Sequence, residues 1–352
     1  MTGSTVKRSP RHIERGWNRE GSPFHPGEQQ VQRRVGVRDQ IERAGRNMIR
    51  ETMPDQHREL FEALPLLVVG SMDEQGQVWA SLLGGEPGFV RSPTSHSLTV
   101  RAEPLRGDPL ANQLRVGAPL GLLGIQLETR RRNRANGRVV LREPGSFTVQ
   151  IEQSFGNCKQ YIQAREPHFD GSRLLGAPPP VAEGAFLSER ARHLLERTDT
   201  LFIATASAFA SGATSGDGEG VDVSHRGGRP GFVRVQDRAS ATRLTIPDFR
   251  GNFLFNTFGN LEVNPHAGIV CADFDSGDVL SLTGQACVIW DSAELEAFEG
   301  ADRLLTFQVD SGVYLERALP LSFQGLVVSP DLADTGTWAE AEQNAASHAS
   351  TS

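Results

Sequence analysis

The sequence predicts a mainly β fold: two small β-barrels in tandem, with flanking helices, related by a pseudo-twofold axis. Three observations carry this reading. Short apolar or alternating runs, bounded by Gly, Pro, Asp and Asn, recur from Leu66 to Val328, as barrels and sandwiches require. Glycine supplies 37 of 352 residues, above the ~7% of an average chain, which suits many short elements joined by turns. The two halves also repeat one another in order.

The repeat is explicit. Gly84-Gly85-Glu86-Pro87-Gly88-Phe89-Val90-Arg91 returns as Gly227-Gly228-Arg229-Pro230-Gly231-Phe232-Val233-Arg234. Leu98-Thr99-Val100 returns as Leu244-Thr245-Ile246, and Arg106-Gly107-Asp108 as Arg250-Gly251-Asn252. Gly121 matches Gly268 and Gly137 matches Gly284, with every offset between 143 and 147 residues. A chain of this length has room for two domains with cores of their own.

Taken in order, residues 1–22 lack apolar periodicity and read as a disordered basic arm. Residues 23–64 read as a helical extension. Pro26 suits a first helical turn, and Val37, Ile41, Ala44 and Met48 form one stripe on a helix ending before Pro54. A short helix over His57–Leu64 follows. Residues 65–165 form the first barrel, with strands at Leu66–Ser71, Val78–Leu83, Gly88–Arg91, Leu98–Arg101, Leu120–Leu127, Gly137–Arg142 and Phe147–Gln153. Residues 166–186, around Pro178-Pro179-Pro180, read as a linker. Residues 187–330 form the second barrel, opened by a helix at Leu187–Arg197, and 331–352 read as a disordered tail.

Composition excludes several function classes. A net charge of −7 gives no reason to expect nucleic acid or an acidic membrane. No apolar run approaches the ~20 residues of a membrane helix, and no leader pattern is visible, so a cytoplasmic protein is expected. Cys158, Cys271 and Cys287 lack CxxC spacing and read as free thiols. GxxxxGK, GxGxxG, HExxH and GxSxG are absent, and no metal site is expected.

The second half keeps a set suited to an anion. Ser224, His225 and Arg226 end a strand and run into Gly227-Gly228, where donors can face a phosphate and a ligand can approach the backbone. Thr245-Ile246-Pro247-Asp248 closes another strand. Gly251-Asn252 makes a turn, and a helix then carries Asn256 and Asn260 one turn apart. The Arg130–Arg134 run precedes Asn136-Gly137 and looks like an exposed hairpin tip. Arg131, Arg132 and Arg134 are either solvated there or bind an anionic substrate or phosphate. Cys158 reads as a packed thiol.

These residues resemble the pyridoxamine 5′-phosphate oxidase-like FMN-binding family. The resemblance rests on Ser224-His225-Arg226, Ile246-Pro247, Arg250-Gly251-Asn252, Asn260-Leu261-Glu262-Val263-Asn264-Pro265 and Gly284-Gln285-Ala286. It implies two tandem split β-barrels, with FMN held by the second. Asn157, Gln160 and Tyr161 of the first copy would close over the flavin ring. The first copy departs from the pattern, with Ser81-Leu82-Leu83 in place of Ser-His-Arg and Pro109-Leu110 after its turn, so one FMN per chain is expected. The implied activity is an FMN-dependent oxidoreductase with a small-molecule substrate and an electron donor. The alternatives are a flavin- or haem-binding store or sensor and a deazaflavin-dependent reductase. A homodimer is compatible with the sequence.

Overall fold

The computed structural model describes residues 16–174, 176–208, 210 and 218–349. The N-terminal helices are α1 (Pro26–Arg34), α2 (Arg38–Met48) and α3 (Asp55–Ala63). The first sheet follows: β1 (Leu66–Met72), β2 (Val78–Gly84), β3 (Val90–Thr94), β4 (Ser97–Val100), β5 (Pro119–Gln126), β6 (Arg131–Glu143) and β7 (Ser146–Asn157). The connection holds β8 (Ala164–Phe169) and β9 (Val181–Glu183). The second half contains α4 (Glu189–Arg197), β10 (Thr200–Ala206), β11 (Val221–Gly227), β12 (Arg234–Asp237), β13 (Thr242–Phe249), α5 (Asn256–Val263), β14 (His266–Ala272) and β15 (Val279–Ile289). It ends with α6 (Ala293–Ala297), β16 (Ala301–Leu315), β17 (Leu321–Val327) and α7 (Trp338–Ala349). The protein is mainly β, a barrel-rich fold with flanking helices.

The two sheets repeat one topology. The first runs β2-β1-β5-β6-β7-β4-β3 and the second β11-β10-β14-β15-β16-β13-β12, strand for strand the same order. Register agrees as well: Gly70 faces Gly121 and Leu66 faces Gly84, while Ala204 faces Gly268 and Thr200 faces Gly227. The residues matched in sequence therefore occupy matching positions in the sheets.

Burial explains why β1 and β10 read as unbroken apolar runs. Successive strand residues point to opposite faces. Leu67 and Val69 enter the interior of the first sheet, while Leu66 and Val68 join a core shared with the second. Leu201 and Ile203 enter the second interior, while Phe202 and Ala204 meet that same shared core. With both faces covered there is no polar side to alternate with. Each fully buried Leu or Val contributes about 1.5–3 kcal/mol.

The contact across the shared core is reciprocal. A Cβ added at Gly121 would lie 2.5 Å from the Val221 carbonyl oxygen, and one at Gly268 2.6 Å from that of Val78. Each β-strand backbone thus presses on the β2-type strand of the other half, and only glycine permits the approach.

Several expectations need correction. The tail after 330 is not disordered throughout. It forms α7, and Trp338 is buried with its ring 4.8 Å from Phe298 and its indole N–H donating to the carbonyls of Phe232 and Thr245. The 166–186 linker is stitched into structure, since β8 pairs with β17 and β9 with β16. Of the expected arm, residues 1–15 lie outside the described residues. Trp17 is buried and its backbone N–H donates to Arg46. The single helix before Pro54 is two, broken at Val35–Val37, where Gly36 takes a left-handed conformation at φ 75°. Asn136-Gly137 is not a hairpin tip. Both lie inside β6, at a bulge repeated between Thr283 and Gly284, and the turn between β6 and β7 falls at Pro144-Gly145. Among the described residues no helix is long and apolar enough to cross a membrane.

Candidate functional site

A cleft of about 870 Å³, open mouth included, lies where the two halves meet. Several pieces of chain build it, among them the following. The end of β11 brings Ser224, His225, Arg226 and Gly227. The end of β13 and the start of α5 bring Pro247, Asp248, Gly251, Asn252 and Asn256, together with a row of phenylalanines. The first half supplies Arg132 and Arg134 from β6, Asn157 at the end of β7, and Gln160 and Tyr161 beyond it. This last segment crosses directly over β11. A Cβ on Gly227 would lie 1.9 Å from the Tyr161 carbonyl oxygen, so glycine is what lets it pass. Tyr161 takes a left-handed φ of 60° and donates its hydroxyl to the Arg250 carbonyl at 3.1 Å.

The structure thus brings together most of the residues singled out in the sequence. It leaves four outside the cleft. Ile246 is core, Thr245 is buried with its carbonyl under Trp338, and Arg131 is exposed on β6. Asn260 is buried behind the cleft wall, donating to Thr205 and Asp222. Arg132 and Arg134 belong to the inward set, contrary to a solvated tip; Arg134 is 3% exposed.

Electrostatics define what the cleft accepts. Four arginines line it (Arg132, Arg134, Arg226 and Arg303) against one carboxylate, Asp248. Arg226 and Arg303 both pair with Asp248. Arg134 donates to Asp222 at 3.1 Å, to Asn256 at 2.8 Å and to the Ser224 hydroxyl at 2.5 Å. Arg132 meets no carboxylate among the described residues; it donates to the Cys158 carbonyl at 2.6 Å and contacts its sulfur at 3.2 Å. Burial and the neighbouring cations Arg132 and Arg226 push His225 well below its usual range, so its imidazole is neutral.

Several buried donors around the cleft lack a partner among the described residues: Arg226 Nε, Arg303 Nη1 and Asn157 Nδ2, along with His225 Nε2. Buried polar groups are ordinarily satisfied, and a cluster of orphaned donors under excess positive charge fits an anion. The guanidinium groups are also propped by aromatic faces. Arg226 lies 5.0 Å from the Phe258 centroid and Arg303 5.2 Å from that of Phe255.

Sequence reasoning missed part of this construction. Arg303 sits on β16 in a run that carries no motif. Glu28 on α1 accepts from Asn256 behind the wall, and burial, then Asp222, pushes its carboxyl well up. Phe249, Phe253, Phe255 and Phe258 were visible in the sequence, but their shared direction comes from two left-handed residues, Phe253 (φ 59°) and Phe255 (φ 62°).

No family model matches the chain, and no curated protein does. Among solved structures, HupZ from Group A Streptococcus is 14% identical, with 36% of this chain and 90% of that one covered, at a TM-score of 0.27. A proposed pyridoxamine 5′-phosphate oxidase from Lactobacillus delbrueckii is 16% identical, with 36% and 93% covered, at 0.27. HutZ, a heme storage protein from Vibrio cholerae, is 17% identical, with 41% and 95% covered, at 0.22. At these values the functional reading rests on the residues of the cleft alone.

Proposed function

We propose that this cleft binds FMN and that the protein is an FMN-dependent oxidoreductase. The observation that carries the reading is the set of unpartnered donors, His225, Arg226, Arg303 and Asn157, on a wall with four arginines and one carboxylate. A phosphate dianion satisfies such a set, and each charge-assisted bond contributes about 1.5–3 kcal/mol. Phe249, Phe253, Phe255 and Tyr161 supply the apolar wall that a flat tricycle needs. When bound, the flavin supplies hydride or electron transfer to and from a small molecule. The chain's own part is binding and orientation. Arg132 and Arg226 counter the phosphate charge, Asn157 offers an amide donor, and the Asn157–Tyr161 segment covers the ligand and limits water. His225, held neutral, offers an imidazole N–H donor and no positive charge.

A second reading has a specific observation behind it. A neutral imidazole with a free Nε2 is also what an iron ligand requires, so a haem-binding store without turnover is the alternative. A deazaflavin would use the same phosphate donors. Titration of the purified full chain with FMN, with hemin and with a deazaflavin, followed by visible absorption, separates the three. Saturable flavin binding, and bleaching of the bound flavin by a nicotinamide donor, supports the oxidoreductase. A Soret band from hemin that is lost in His225→Ala, with no flavin retained, rejects it.

A further inference from the structure

The repeated topology generates a second cleft. The first lies between the end of β11, the turn after β13 and the segment after β7. Its counterpart lies between the end of β2 at Gly84, the turn after β4 and the segment after β16. It is the larger of the two, about 1480 Å³ against 870 Å³, open mouths included.

Its chemistry differs. By strand register, the positions held by His225 and Arg226 in β11 belong to Leu82 and Leu83 in β2, both fully buried. Neither leucine donates, and a phosphate dianion facing them would leave water without partners. The floor is apolar instead: Phe89 and Leu105 are buried, Pro320 closes one side, and Leu174 stands 54% exposed beside the opening. Four arginines line the cleft; Arg91 donates to the Gly88 carbonyl, and the half-buried Arg173 donates to the Leu321 carbonyl and pairs with Asp170, so the uncommitted positive charge lies at the rim. Arg101 and Arg106 are exposed there, and no described residue gives either side chain a hydrogen bond or ion pair. Of the two rim carboxylates, Glu103 is engaged by Arg142 and by the Gly145 N–H, which leaves Glu86 to oppose them. An apolar floor under a cationic rim matches a molecule with an apolar body and an acidic end.

We propose that this second cleft binds an amphipathic organic anion, an apolar body carrying a carboxylate or sulfonate, independently of the flavin site. The probe is 8-anilinonaphthalene-1-sulfonate, titrated by fluorescence into the full chain. One saturable site is expected. The exposed double reversal Arg101→Glu/Arg106→Glu should weaken it at least about tenfold, the loss of one charge-assisted contact. Ala102→Trp, which fills the cleft from its lining, should abolish it, while FMN affinity stays unchanged in both variants. Unchanged probe affinity in the reversal variant overturns the inference, as does stoichiometric displacement of the probe by FMN. Absence of FMN binding in the same samples bears on the proposed function alone and leaves this reading standing.

Discussion

Arg134 of the first sheet donates to Asp222 of the second at 3.1 Å, and both side chains are buried. This ion pair crosses between the halves directly behind the candidate site. Asp222 also accepts from Asn136 and Asn260, so the carboxylate joins β6, β11 and α5. Removing one partner leaves an uncompensated buried charge, which costs about 3–5 kcal/mol. Asp222→Ala and Arg134→Met should each lose that much in urea denaturation. The double variant should lose clearly less than the sum, because neither charge is left alone. Additive losses reject the pair as a unit.

Arg226 is the cleanest test of the anion site. It faces the cleft from β11, and its Nε has no partner. Arg226→Ala should weaken FMN binding by about tenfold to a hundredfold in a fluorescence-quenching titration. Arg131→Ala, an exposed neighbour of the β6 arginines outside the cleft, should leave affinity unchanged. Equal losses in both would mean a general charge effect.

Two buried groups make opposing contributions to stability against pH. Burial, then Arg50 and Arg131, lowers His57 from 6.5 to about 4. Its folded pKa lies below its unfolded one, so between pH 4 and 6.5 the unfolded chain binds more protons. Stability from His57 is therefore present above 6.5 and lost as pH falls through about 4, to an extent of about 2–3 kcal/mol. Burial raises Asp108 from 3.8 to about 6, although Ser81 and the Leu110 N–H donate to it. Its contribution is present below 3.8 and lost as pH rises through about 6. The two act in opposite directions. Relative to the wild type, denaturation from pH 4 to 7 should show stability that falls more, or rises less, with pH in His57→Gln and the reverse in Asp108→Asn.

Trp338 ties the C-terminal helix to the second sheet. Its ring packs on Phe298, and its N–H donates to two carbonyls, Phe232 and Thr245. Trp338→Ala should cost about 3–5 kcal/mol by thermal or chemical denaturation. A loss below about 1 kcal/mol would mark the helix as an adjunct without structural weight.

The repeat and the cleft wall of the second half were legible because their signals are short local motifs, whereas the strand order came only with the fold. Gly121, Gly227 and Gly268 are required by close backbone approach and Gly84 by the Pro320 ring, and such constraints show in sequence. What stayed hidden depends on distant chain. Trp338 sits in a small, polar tail whose composition suggests disorder; contacts with distant residues, among them Phe232, Arg234, Thr245 and Phe298, make it structural. Arg132 and Arg134 look like an exposed run. Strand alternation turns them toward the cleft, and Asp222 and Cys158, far away in sequence, fix them there. Arg303 and Glu28 carry no motif, because their roles arise from charges that meet only in the fold.

The final prediction concerns stoichiometry. A symmetric pair of clefts would hold two flavins, but the donors are not shared equally. His225 and Arg226 correspond by register to Leu82 and Leu83, which are fully buried and donate nothing. Ser81, the counterpart of Ser224, gives its hydroxyl to Asp108 at 2.6 Å, and that buried carboxyl would repel a phosphate once ionised. The β6 arginines do not rescue the first site. Arg132 and Arg134 both line the cleft of the second half, and Arg134 is held there by Ser224, Asp222 and Asn256. One FMN per chain follows, held by the second half and covered by Asn157, Gln160 and Tyr161 of the first. The measurement is flavin released by acid from the saturated, desalted protein, against protein concentration. A ratio near one is expected in the wild type, falling toward zero in Arg132→Ala/Arg226→Ala. A ratio near two would show that Leu82 and Leu83 do not prevent a flavin from binding beside them.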